Sequence, residues 1–452
     1  MTIDSTPSLS EVASEFGGTT PHSLSEYYGS AFSDNSYAPS SGAISLGDFQ
    51  NKTKYLWSFR QKIMASDAQG YDRFGDDVSL SRYGDYAIVG ASREDTGATD
   101  AGAAYIFKKS GSSWSQQQKI QASDRQLNDK FGKSSSICGN GDYAIVGAPD
   151  EDTGGTSAGA AYIFKRSGSS WSQQQKIQAS DKSQYRVFGS AVSMNRSGTI
   201  AAVGAFWAGT GNPGAGAVYI FTRSGSTWSQ QAKCEPSNPT PWDDFGQSVV
   251  ISGDGNYFIS GSYGEDTNGT DAGAAYIFKK SGSSWSQQVM LKANDPQGSD
   301  HFGQSVAIDY DGNTAAVGAY MEDTGVADAG SVYIYTRSGT TWSQQQKIQT
   351  ADRHAQDYFG FDVYLSDDGN TLVASARSDD EGGTDAGAAY IYSRTGTTWT
   401  QRLKFTASDA QGYDYFGQSV CVSGDGKTVI SGAYYEDTGG TNSGAAYIHD
   451  LP

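Results

Sequence analysis

The segment Tyr55–Asp67, "YLWSFRQKIMASD", decides how this 452-residue chain folds, because it is an early copy of a phrase that otherwise lies inside a repeat. The next copy is "SSWSQQQKIQASD", Ser112–Asp124. The tryptophan recurs at Trp57, Trp114, Trp171, Trp228, Trp285, Trp342 and Trp399, and Phe-Gly pairs begin at Phe74, Phe131, Phe188, Phe245, Phe302, Phe359 and Phe416. Every interval is 57 residues, without insertion or deletion, and residues 54–452 hold seven such units. The last unit stops at "GAAYIHDLP", Gly444–Pro452, short of its own tryptophan phrase. The strand absent from the end is therefore expected at the front.

Each unit reads as four short strands, A to D. In the first they are "DDVSLS", "YAIVGA", "AAYIFKK" and "WSQQQKIQA", with glycine-containing hairpin signals between A and B and between C and D. No window shows a helical apolar period. Four strands per unit at this period, seven times over, predict an all-β, seven-bladed β-propeller of four-stranded blades. An N-terminal strand would complete the C-terminal blade and leave no open sheet edge. Residues 54–452 form this propeller and residues 1–53 a small irregular anchor. The A–B and C–D hairpins share one end, the lower face, where the chain enters; the D–A connections and B–C loops share the upper face.

Composition narrows the partners. With 50 acidic against 32 basic residues the net charge is −18, so nucleic acid, which needs a basic face, is not expected. No apolar run is long enough for a membrane span, no secretory signal peptide precedes the repeats, and three cysteines at unrelated phases imply no disulfide framework. Enzyme motifs do not hold: "GTGNPG", Gly209–Gly214, runs into a strand where a dinucleotide fingerprint needs a helix, and His22, His301, His354 and His449 are scattered.

The phrase "FGQSVVISGDGNYFISGS" and its six sisters resemble FG-GAP repeats, the blades of the integrin alpha-subunit propeller. The A–B hairpins here are too short for that family's Asp-x-Asp-x-Asp-Gly calcium loop. Within residues 1–53, "APSSGAISLGDFQNKTK", Ala38–Lys54, resembles N-terminal attachment segments of tailed-phage structural proteins. The resemblances together imply a non-enzymatic virion appendage, a tail-fibre, tail-tip or neck-associated protein. It would be held to other virion proteins through residues 1–53 and offer its upper face to a host-surface glycan or protein. A purely structural decoration protein, a bacterial surface adhesin and, last, a glycan hydrolase are the alternatives.

Two sets of upper-face residues stand out. Glu94, Asp95 and Asp100 recur as Glu265, Asp266, Asp271 and as Glu322, Asp323, Asp328. No cofactor is required, and carboxylates in glycine-rich loops suit calcium, although Asp side chains also close Asx turns. The second set departs from the repeat: "FWAGTGNPGAG", Phe206–Gly216, and "CEPSNPTPWDDFG", Cys234–Gly246, carry Trp207 and Trp242, the two tryptophans outside the periodic series. With Asn212, Asp243 and Asp244 they form the candidate ligand site.

Overall fold

The computed structural model describes residues 57–209 and 212–451; the anchor assigned to residues 1–53 lies outside them. Among the described residues, twenty-eight strands form seven antiparallel four-stranded sheets. Blade 1 is β2 (Phe74–Leu80), β3 (Tyr86–Ala91), β4 (Ala103–Ser110) and β5 (Ser113–Ile120), paired in that order. Its strands are those read from the sequence, to within two residues at either end. Blade 7 has the order β1–β28–β27–β26, with β26 Phe416–Val422, β27 Thr428–Ala433, β28 Ala445–Asp450 and β1 Ser58–Ile63. The N-terminal strand thus closes the last blade, from Ser58 opposite Asp450 to Ile63 opposite Ala446.

The core lies between blades rather than within one. One cluster joins Val89, Tyr105, Phe107 and Trp114 of blade 1 to Ile430, Ala446 and Ile448 of blade 7, with Ile63 from β1. Six equivalent clusters complete the circle. Close approach of successive blades explains the glycine of strand B: a Cβ on Gly90 would lie 2.0 Å from the carbonyl oxygen of Gly132 in the next blade. The three cysteines are buried and free.

The glutamines of the tryptophan phrase fasten blade to blade. A bulge at Gln117, between the pairs Ile106–Gln118 and Phe107–Gln116, turns two consecutive side chains the same way. Gln116 Oε1 accepts Ser66 N of the preceding connection at 2.9 Å. Gln117 Oε1 takes the Trp171 indole N–H at 3.0 Å, and the Gln118 amide bridges the Trp171 backbone N and O at 2.7 and 2.8 Å. β1 repeats the device, since Gln61 spans Trp114 N and O at 2.8 and 2.9 Å. It therefore pairs with blade 7 and clasps blade 1.

The A strands line an axial channel whose lower end is shut. Arg82 N, Gly139 N, Arg196 N, Asp254 N, Tyr310 N, Asp367 N and Asp425 N each donate to a carbonyl of the next A–B hairpin, and Asp425 N returns to Arg82 O. Across this hydrogen-bonded ring the Arg196 guanidinium of blade 3 meets Asp367 of blade 6 at 2.6 Å, and Arg82 joins the same carboxylate at 3.1 Å.

A chain beginning at Lys54 is expected to melt as the full protein does, whereas one beginning at Ser66 should melt lower and aggregate, because β28 becomes a bare edge and Trp114 loses its clasp. Thermal melts and light scattering of the two truncations check this; equal behaviour would refute closure by β1.

Candidate ligand-binding face

Six of the seven D–A connections are held by one aspartate, the exception having Arg186 at that position. Asp72 accepts Gln69 N at 2.7 Å, and Asp129, Asp300, Asp357 and Asp414 accept the N–H three residues back in the same way. Asp243, one of the expected ligand residues, is this turn former in its own repeat: it is fully buried and accepts Thr240 N at 2.7 Å. Asp244 is also buried, and burial, opposed by a hydrogen bond from Tyr263, raises its carboxyl to about 6. Both acids lie beneath the surface, where a ligand would not touch them directly.

The residue before this position is left-handed in every repeat, including the one with Arg186. Tyr71, Asn128, Tyr185, Trp242, Ser299, Gln356 and Tyr413 have φ between +59° and +71°. That backbone costs a non-glycine residue about 1–2 kcal/mol. It is offset by a hydrogen bond to the B–C loop of the preceding blade: Tyr71 N to Thr441 O at 2.7 Å, Tyr185 N to Thr156 O at 2.7 Å, Trp242 N to Pro213 O at 3.0 Å and Tyr413 N to Thr384 O at 2.7 Å. With the backbone tied inward, the side chain faces solvent. Tyr71, Tyr185, Trp242 and Tyr413 are 60, 52, 62 and 57% exposed. Tyr71, Tyr185 and Tyr413 were not singled out from the sequence, although reading the residue at one phase of each repeat would have found them.

The Trp207 loop is stapled to this crown. Asn212 Nδ2 donates to Pro239 O at 3.1 Å, so its amide holds the two variant loops together. Arg186 Nη1 donates to Gly209 O at 2.6 Å. Gly214, at φ +72°, lies against the Trp242 ring, where a Cβ would approach Cε3 to 2.8 Å. Trp207 packs edge-on against Phe206 at 5.5 Å between centroids and stays 43% exposed. Both tryptophans are thus presented to solvent on tied loops.

The acidic loops hold lysine ammonium groups. Lys119 Nζ donates to Asp67 at 2.8 Å, Glu94 at 2.6 Å and Thr96 at 3.1 Å. Lys347 does the same with Asp295 and Glu322, and Lys292 pairs with Glu265. Asp95 and Asp266 accept the N–H of Asp100 and Asp271 at 2.7 and 2.8 Å. Asp100, Asp271 and Asp328 are the left-handed residues of the turns, and Asp323 is exposed. An ammonium stands where Asp67 and Glu94 converge, and among the described residues no group of three or more His, Cys, Asp or Glu is placed to share an ion. These residues do not fit a calcium cage. The melting temperature is expected to be the same in chelator and in millimolar calcium; one filled site at a hundredfold excess over its dissociation constant would add about 2.7 kcal/mol and shift it visibly.

The two kinds of carboxylate titrate in opposite senses. Burial raises Asp72, Asp129, Asp300, Asp357 and Asp414 to about 6. Burial would also raise Glu322, but hydrogen bonds from Lys347, Ser331 and Thr324 outweigh it and hold the group at about 2. Between about pH 4, where unfolded Asp titrates, and pH 6 the folded protein keeps protons that the unfolded chain releases, so the first group lowers stability as pH rises. The lysine-held group gives stability that is present above about pH 4 and lost towards pH 2. Thermal melts at constant ionic strength should therefore peak near pH 4 and fall by several degrees by pH 7.5.

No curated protein matches the chain. The family model for the FG-GAP repeat matches seven times, at residues 57–107, 114–164, 171–221, 228–278, 285–335, 342–392 and 399–449. Each match runs from the tryptophan of one blade through strand C of the next, the phase that β1 imposes. With these seven matches covering most of its length, the chain belongs to the FG-GAP repeat family.

Proposed function

We propose that this propeller is a non-enzymatic recognition module of a virion. In this reading residues 1–53 fasten it to other virion proteins, as a tail-fibre, tail-tip or neck-associated part, and its upper face contacts a glycan or protein of the host surface. An FG-GAP propeller fits a ligand-binding or adhesion role, and such propellers are typically binding domains rather than enzymes. The observation that carries the reading further is the crown: Tyr71, Tyr185, Trp242 and Tyr413 occupy one left-handed phase of the repeat, tied by backbone and exposed by side chain. Large rings held at fixed angles give contact area at low entropic cost on binding.

Chain direction supports the polarity. β1 starts at Ser58 beside the C-terminal end of β28, on the face opposite the crown. Whatever precedes Ser58 joins the propeller from below, and the crown faces away from that junction. The attachment role itself rests on the phage-like segment Ala38–Lys54.

The test is binding of labelled protein to a panel of bacterial cells and to a glycan array, with wild type beside Trp207→Ala/Trp242→Ala. The double variant should keep its melting temperature, because neither ring belongs to the inter-blade cores, and lose about 2 kcal/mol of binding, roughly thirtyfold. Undiminished binding by the folded double variant would move the site off this sector. Absence of binding by the wild type would favour a purely structural decoration protein.

A further inference from the structure

The axial channel is a blind well, and its wall is built unlike the rest of the repeat. The well encloses about 290 Å³, near the lower end of the ~300–1,000 Å³ of small-molecule sites. Its floor is the hydrogen-bonded hairpin ring crossed by Arg196, Asp367 and Arg82. Its upper wall is the ring Asp76, Lys133, Ser190, Gln247, Gln304, Phe361 and Gln418, one residue per blade at one repeat phase. The two phases before it are Phe and Gly in all seven repeats, whereas this one holds five residue types.

An aromatic arc continues the wall upward. Phe361 meets Tyr320 edge-on at 5.7 Å between centroids, and the Arg377 guanidinium lies 4.0 Å from the Phe361 centroid. Arg377 also covers Tyr415 at 5.6 Å, which packs against Tyr434 at 6.0 Å. These rings sit at the tops of strands A and B, next to the axis, and are half-buried.

We propose that the axial well is a second binding site, for a single neutral sugar ring or a polyol of that size. The inference goes beyond the crown and does not rest on the host-surface reading. The wall leaves little charge to offer an ion. Lys133 is spent on Asp76 at 3.1 Å, and the Arg377 guanidinium donates to Gln418 Oε1 at 3.4 Å and lies against the Phe361 ring. Asp362 already accepts Ser305 Oγ at 2.7 Å, Val420 N at 2.7 Å and Val363 N at 3.0 Å, so its carboxylate is satisfied without a ligand cation.

Asp77 faces the same closed space and accepts Ser135 Oγ at 2.6 Å. Removal from bulk water, with repulsion from Asp362 and Asp76, raises it to about 8. Its carboxyl therefore holds its proton to a higher pH than an ordinary aspartate does. What remains is a mosaic of neutral donors and acceptors, including Gln247 Oε1, which has no hydrogen-bond partner. Hydroxyls at such spacing, under rings that can cover an apolar C–H face, are met by a pyranose better than by an apolar group or an ion.

Ligand-observed NMR and calorimetry with the full chain test this. The probes are neutral monosaccharides and their methyl glycosides, with inorganic phosphate and methylammonium as charged controls. At least one neutral sugar should bind at one site per chain. Gln247→Leu and Phe361→Ala should each weaken it at least tenfold while leaving the melting temperature near that of wild type, and Trp207→Ala/Trp242→Ala should not change it. Gln304→Leu, on the same ring, serves if Phe361→Ala fails to fold. The proposal is overturned if no neutral sugar binds saturably, if a charged control binds more tightly, or if the well variants bind as wild type does.

Discussion

The molecule depends on closure. Each blade buries its two faces only against its neighbours, so packing is head-to-tail, and such an interface gives a ring only if the rotation per step closes. A 57-residue unit repeated without insertion makes the steps alike, and β1 supplies the last contact. It adds the fourth strand to blade 7, places Ile63 in the blade 7–blade 1 core and carries Gln61, which holds Trp114. Without that strand two blades are damaged, because the sheet of one and the clasp of the other come from the same six residues.

Once closed, the ring is held differently at three radii. At the rim, glutamine side chains satisfy backbone groups across neighbouring D strands. Where the third glutamine gives way to Ala232 or Val289, Trp285 and Trp342 keep their indole bonds, to Gln231 and Gln288. Between rim and axis lie the apolar clusters, where glycine permits backbone contact. At the floor, one hydrogen bond per blade runs around the axis. That floor position varies as Arg82, Gly139, Arg196, Gly253, Tyr310, Asp367 and Gly424, and the glycines make room: a Cβ on Gly253 would lie 2.3 Å from the Tyr310 ring and one on Gly424 2.5 Å from Asp367 Oδ2. The small residues and the crossing ion pairs are parts of one arrangement.

What the sequence disclosed follows from the same regularity. Seven equal intervals, the glycine-containing hairpin signals and the displaced tryptophan phrase were enough for blade number, strand order and closure. The acidic loops were harder. Glu94 and Lys119 are 25 residues apart and Asp67 and Lys119 are 52 apart, so the pairing of carboxylate with lysine appears only when blades 7 and 1 are side by side. Asp243 looked exceptional beside Trp242, yet it is the turn aspartate of every other repeat but one. The crown and the well wall were legible only by reading down a single phase across repeats, a direction in which hydrophobic period gives no signal, because exposed and channel-facing positions carry no burial pattern.

The division between uniform and variable phases is therefore physical. Positions that touch the next blade must suit a partner that is nearly a copy of themselves: the Phe-Gly glycine is kept in all seven repeats, and a Cβ on Gly417 would lie 2.8 Å from Ser375 Cβ of the preceding blade. Positions at the crown meet solvent, and positions at the top of strand A meet the axial space, so neither has a neighbour that dictates its side chain. The crown spends its freedom on large rings at a fixed backbone angle; the well spends it on a mixture of polar side chains and one ring, Phe361, around a volume of about 290 Å³. Both lie above the closed floor and away from the chain's point of arrival at Ser58, so the lower face of the ring supplies rigidity and the upper face is left free to differ from blade to blade.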